Sequence, residues 1–314
     1  MKPFMTDLNR LLARQNFKDE KEMQAFLENL SDKSLYDLPE MELTDAEQAQ
    51  DLVYEAYQLT PAKAKKNIEK ALQLDPNCIE AYEYLASREK SAKKALEVVE
   101  KGIAIGRKQF GGKFLKENKG IFWGIHETRP FMRCLYKKAT ILAMEDETAE
   151  AVAIMEEMLE LNEHDNQGVR FPLLSVLITL GDTEKFKKYD KMFADEEHSV
   201  PMLYSRALFA FKTEGDTPKA RKMLKKAFDA NPFVVRELFN PNFQFSGVKS
   251  YMAGSPEEAE NYLLHAFFCW HNTEGAIEWM LDESVKIMSK SPNKSLMKSN
   301  TINGIGQRST KKKK

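Results

Sequence analysis

Residues Arg206 to Pro232, RALFAFKTEGDTPKARKMLKKAFDANP, constrain the fold more than any other stretch, because they spell one complete helix–turn–helix unit. Tyr204, Ala207, Leu208 and Phe211 stand at i, i+3, i+4 and i+7, the apolar stripe of an α-helix. Thr213-Glu214-Gly215-Asp216 breaks it. Gly215 suits the left-handed position past a helix end, and Asp216 with Pro218 suits the start of the next helix. Ala220, Met223, Leu224, Ala227 and Phe228 form the second stripe, and Asn231-Pro232 stops it. The same second-helix spacing recurs in Ala95, Val98, Val99, Gly102 and Ile103. It recurs again in Ala151, Ile154, Met155, Met158 and Leu159, and at four positions in Ala64, Ile68, Ala71 and Leu72.

The turns repeat as well. Gly181-Asp182-Thr183 and Gly215-Asp216-Thr217 lie 34 residues apart, the period of the tetratricopeptide (TPR) repeat. Ala220, Leu224, Ala227 and Pro232, and likewise Ala64, Ile68, Ala71 and Pro76, resemble that family's second-helix pattern. The resemblance implies an all-α fold, an α-solenoid of TPR-like helix–turn–helix repeats. Residues 1–43 do not follow the pattern and read as an N-terminal helical cap, with short helices around Leu8, Leu11 and Leu12 and over Asp19–Leu30. The solenoid spans 44–290, and insertions near 106–128 and 233–254 stretch two intervals between second-helix marks to 56 residues. Residues 291–314 read as a disordered basic tail, with seven Lys and Arg and no acid.

Charge and chemistry narrow the function classes. Lys plus Arg number 47 against 48 Asp plus Glu, so the total charge supplies no field for a polyanion, and the expectation is no nucleic acid. No run of 18 apolar residues occurs, so no membrane span is expected, and three scattered cysteines suggest a reducing, cytoplasmic setting. The five histidines are single, no phosphate-binding glycine loop follows a strand, and neither a metal, a cofactor nor an enzyme is expected.

In solenoids of this type the first helices line a concave groove, which makes protein or peptide binding the leading expectation. Arg129, Arg133 and Lys137 share one face of a first helix, and Arg170 opens the next. Phe122 and Trp123 from the insertion add aromatic contacts, Glu127 stands beside the arginines, and Asn166 and Gln167 can bond a peptide backbone. Arginine and aromatic residues dominate binding energy at such surfaces, and paired guanidiniums favour an acidic or carboxylate group on the partner. The charges equally suit a structural network with Glu127 and Asp165. A regulator gated by a small peptide or metabolite fits the same residues, and a hydrolase using His126 and Glu127 is a third reading.

Two narrower resemblances follow from particular segments. Phe122-Trp123-Gly124, Glu127, the Arg129–Arg133 run and Asp165–Arg170 are similar to a bacterial group of uncharacterised TPR proteins. GSPEEAENYLLHAFFCWHNTEGAIEWM resembles the end of the suppressor-of-tumorigenicity TPR family. Both imply a non-enzymatic scaffold. The chaperone-tail carboxylate clamp fits poorly, because Tyr136 and Thr140 stand where its Lys and Asn would be, although Arg206 can fill one position.

Overall fold

Caps and turns set the helix boundaries of the computed structural model, which describes residues 4–31, 42–195, 199–247 and 250–290. Thr44 and Glu47 form a reciprocal capping box ahead of α3 (Asp45–Ala56), satisfying amides that a helix start leaves orphaned. Thr217 accepts from the Ala220 amide to open α13 (Pro218–Ala230), and Ser255 accepts from Glu258 to open α15 (Pro256–Asn272). Gly181 and Gly215 both take φ of +72°, which favours glycine, but only Gly181, with ψ of 20°, is in the left-handed helical conformation, while Gly215 has ψ of −158°. The basic segment from Ser291 onward lies outside the described residues.

The chain divides into two compact units, residues 1–138 and 139–314. In the first, α1 (Phe4–Ala13) and α2 (Glu20–Ser31) precede two helix pairs. These are α3 with α4 (Pro61–Leu74), and α5 (Ile79–Arg88) with α6 (Ala92–Gln109). Each pair packs internally, and the first helices α3 and α5 also pack on one another. Ala49, Val53 and Ala56 of α3 share one core with Ala64, Ile68 and Ala71 of α4 and with Ala81 and Tyr84 of α5. First helices therefore form one layer and second helices the other.

The 106–128 segment is folded rather than looped. It holds the end of α6, the short α7 (Gly112–Asn118) and two single 3-10 turns before α8 (Arg129–Met144). Gly102 and Gly106 on α6 let α8 come close: a Cβ added at Gly106 would stand 2.3 Å from the Phe131 ring, and one at Gly102 would stand 3.0 Å from the Cys134 sulfur. Phe131 then completes a cluster with Phe110, Phe114 and Phe122, ring centroids 5.4 to 6.5 Å apart. Such offset and edge-on pairs contribute beyond their buried area.

The second unit contains α9 (Thr148–Leu161), α10 (Arg170–Leu180), α11 (Thr183–Met192), α12 (Val200–Glu214), α13, α14 (Phe233–Leu238), α15 and α16 (Ala276–Lys290). The repeat spacing is realised in α13, whose Ala220, Leu224 and Ala227 are fully buried in a helix that packs on α12. The 233–254 insertion contains α14 and then a stretch in which Phe243 and Phe245 rest on Phe267 of α15.

The last pair departs from nearest-neighbour stacking. α15 packs on α12 and also on α10, one repeat further back. The consequence is visible in α10, where every residue from Pro172 to Ile178 is buried. A helix enclosed on all sides is apolar all round, and RFPLLSVLITL has that character.

Candidate functional site on the first-helix layer

The first-helix layer of the first unit consists of α3, α5 and the start of α8, with α1 lying on α3 through Arg10, itself buried. Two sets of bonded polar side chains lie along it, meeting on α5. Arg10 of α1 donates to the Glu47 carbonyl at 3.0 Å and to Gln50 Oε1 at 2.8 Å, and pairs with Asp51 at 2.9 Å. Gln50 in turn donates to Glu80 Oε1 at 2.6 Å. Arg133 of α8 donates to Glu83 Oε2 at 2.8 Å. Four helices are thus tied by charge-assisted bonds, the strong class of protein hydrogen bond.

Burial tunes these groups. The Glu80 carboxyl is pushed above the ordinary carboxylate value by burial, only partly offset by the Gln50 amide. The Tyr54 hydroxyl is pushed up to about 12, by burial and then by the charge of Glu80. For Arg133 burial works against the charge, and Glu83 more than compensates, raising the guanidinium value.

A pH prediction follows for Glu80. A carboxyl whose folded value lies above its unfolded one binds its proton more readily in the folded state. Its contribution to stability is therefore full at low pH and is lost as pH rises from 4.5 through the raised folded value. Glu80→Gln keeps an oxygen facing the Gln50 amide and removes the buried charge. Its melting temperature should exceed the parent's at pH 7 by a few degrees, roughly 1 kcal/mol, and match it at pH 4. Thermal melts at both values check this, and a less stable variant at pH 7 would contradict the buried, strained carboxylate.

The aromatic edge of the layer comes from the insertion and from α3. Arg129 Nε donates to the Trp123 carbonyl at 2.9 Å, and its guanidinium carbon lies 5.6 Å from the centre of the Trp123 ring. Trp123 is half-buried, and Tyr57 at the end of α3 is 47% exposed, edge-on to Tyr84. His126 and Glu127 are consecutive in the 3-10 turn before α8, and Glu127 is exposed. Burial and the neighbouring Arg129 lower the His126 value.

The expected set is therefore divided. Trp123 and Arg129 are brought together, and Arg133 lies one turn along α8, held by Glu83. Phe122 is fully buried and serves the aromatic cluster, which removes it from any contact surface; the apolar packing that α7 and α8 demand is the reason. Asn166, Gln167 and Arg170 belong to the second unit. There Arg170 pairs with the buried Asp165 at 2.8 Å, and Asp165 also accepts the Val169 and Arg170 amides. Asn166 is exposed and Gln167 half-buried in the same turn. The residues missed by sequence reasoning are Glu83, Glu80, Gln50 and Arg10. Their signal is present as polar positions on the packing stripes of α3, α5 and α1, beside small alanines.

The sequence model of one protein family, described as transcriptional repressor TCF25, matches residues 83–314. The span begins within α5 and includes Glu83, Trp123, Arg129 and Arg133. No curated protein matches the chain. The helical-repeat architecture agrees with the match, while the family is neither of the two narrower TPR groups. The expectation of no nucleic acid is overturned, because a transcriptional repressor points to a role in which nucleic acid takes part. Total charge misled because it averages over helices that differ in sign. Among the described residues no helix is long and apolar enough to cross a membrane.

Proposed function

The chain belongs to the Tcf25 family, and from that premise we propose that it is a non-catalytic helical-repeat scaffold for transcriptional regulation, working in the nucleus rather than the cytoplasm. It holds a protein partner on the first-helix layer of its first unit. One observation carries this reading: the Glu83–Arg133 pair and the Arg129–Trp123 stack are fixed in place yet partly open to solvent. Side chains already held in one rotamer lose little entropy on binding, and arginine, tryptophan and tyrosine are the types that anchor protein interfaces. The TPR-like character of the repeats, with small alanines in the second helices, supports the same use. The mixed sign of the layer, acids on α5 and arginines on α8, suits a partner surface carrying both charges. Photocrosslinking from Trp123 and Tyr57 in nuclear extract, with second-helix positions as controls, tests it.

A further inference from the structure

The near-neutral total of 47 basic and 48 acidic residues conceals a segregation by layer in the first unit. The second-layer helices α4 and α6, with α7, carry eleven Lys and Arg against four Glu, whereas the first helices α3 and α5 carry six Asp and Glu against one Arg. The buried faces of α4 and α6 are Ala64, Ile68 and Ala71, and Ala95, Val99 and Gly102, so the lysines point outward, and all of them are exposed. Lys94, Lys101 and Lys108 recur every seven residues, a stripe of about 21 Å along α6 at 1.5 Å per residue. One of the few acids on this face, Glu100, is neutralised from outside it by Lys138 at 3.0 Å. α7 is fastened through Phe114 to the aromatic cluster, so its Lys113 and Lys116 are carried on a fixed element.

We propose that this lysine face of α4, α6 and α7 binds the phosphate backbone of a nucleic acid without reading its sequence. Lysine is a compact point charge suited to phosphates, whereas base readout favours the bidentate fork of arginine, of which the face has one, Arg107. Second helices differ in this respect: α9 of the second unit carries four Glu and no basic residue, whereas α13 carries five Lys and Arg against one Asp, which makes the α13 lysines the comparison for basic charge alone. A membrane surface is the poorer fit, because an interfacial helix needs an apolar face at the surface, and those of α4 and α6 are buried in the core. The face is opposite in layer to the proposed protein-binding surface, and the two proposals stand independently.

Fluorescence anisotropy with a 20-base-pair random duplex and a 20-nucleotide single-stranded RNA, each about 20 units long to cover the face, tests the proposal on the full chain. Binding is expected at low salt and should weaken about 100-fold between 50 and 200 mM salt if about four phosphates are contacted. The variant Lys66→Glu/Lys70→Glu/Lys94→Glu/Lys101→Glu should lose at least about tenfold in affinity, with the salt slope reduced by about 3. Its circular dichroism should be unchanged, since all four side chains are exposed. Lys222→Glu/Lys225→Glu on α13 of the second unit is the control and should bind as the parent does. A preference between the two probes would identify the backbone as DNA or RNA. The proposal is overturned if neither probe binds at 50 mM salt, if the quadruple variant binds like the parent, or if the α13 control loses as much. Binding to phosphatidylserine vesicles in place of both probes would also overturn it.

Discussion

Trp270→Ala should unfold the second unit at a temperature lower by about 10 °C or more, the equivalent of about 3–5 kcal/mol for emptying the site of a fully buried tryptophan. Trp270 has no exposed surface and lies on α15, the helix that packs on both α10 and α12. Its indole nitrogen donates to the Tyr262 hydroxyl at 2.8 Å, and its ring meets Tyr204 edge-on at 6.4 Å. Tyr204 in turn donates to the Asn231 carbonyl at 2.8 Å. The alanine variant therefore leaves a cavity and also a buried hydroxyl that has lost a donor. Trp123→Ala is the comparison: that side chain is half-buried at the edge of the first unit and should shift the melt far less. Calorimetry or thermal circular dichroism decides, and a Trp270→Ala melt close to the parent's would mean that α15 does not close over α10.

Asp165→Ala should cost a comparable amount, about 3–5 kcal/mol, because it strands a mostly buried guanidinium. Asp165 has a fully buried side chain, and Arg170 exposes only 13% of its own. The carboxylate accepts two backbone amides besides the guanidinium, whose carbon also lies 4.3 Å from the Phe171 ring centre and 5.3 Å from that of Phe193. Asp165 holds the left-handed conformation, φ +44°, as the chain turns into α10. The double variant Asp165→Ala/Arg170→Met removes both charges and should recover much of the loss. Chemical denaturation of the two variants checks this. Equal stability of the single variant and the parent would show that Arg170 is not a fastening and would return it to the candidate binding residues.

Particular elements show what was legible in the sequence. The i, i+3, i+4, i+7 spacing of α13, the left-handed Gly181 and the Asn231 stop each translate into one local geometry, and each appears in the structure, whereas Gly215 keeps the positive φ with a different ψ. An apolar stripe states that a face is buried and leaves open what buries it. The packing of α15 on α10 was therefore not readable from α15, although the unbroken apolar run of α10 carried the signal. Phe122 was misread for a related reason. Its segment broke the repeat, so its aromatics looked available, while Phe110, Phe114 and Phe131 were near enough in sequence to enclose it. The partners of Arg133 and Arg10 lie 50 and 40 residues away, on Glu83 and Gln50, and only the stacking of helices brings them together. Charge was legible throughout, but helix by helix rather than in total.

The most direct test of the scaffold reading is site-specific photocrosslinking in nuclear extract. A photoreactive phenylalanine replaces Trp123 or Tyr57 on the first-helix layer, and Gln73 or Ala104 on the exposed side of α4 and α6. The account predicts discrete protein adducts from the first two positions and not from the second two. Excess parent protein should compete them away, and Arg129→Ala/Arg133→Ala protein of unchanged helicity should not. Adducts that form equally from both layers, or that the double variant competes as well as the parent does, would contradict it.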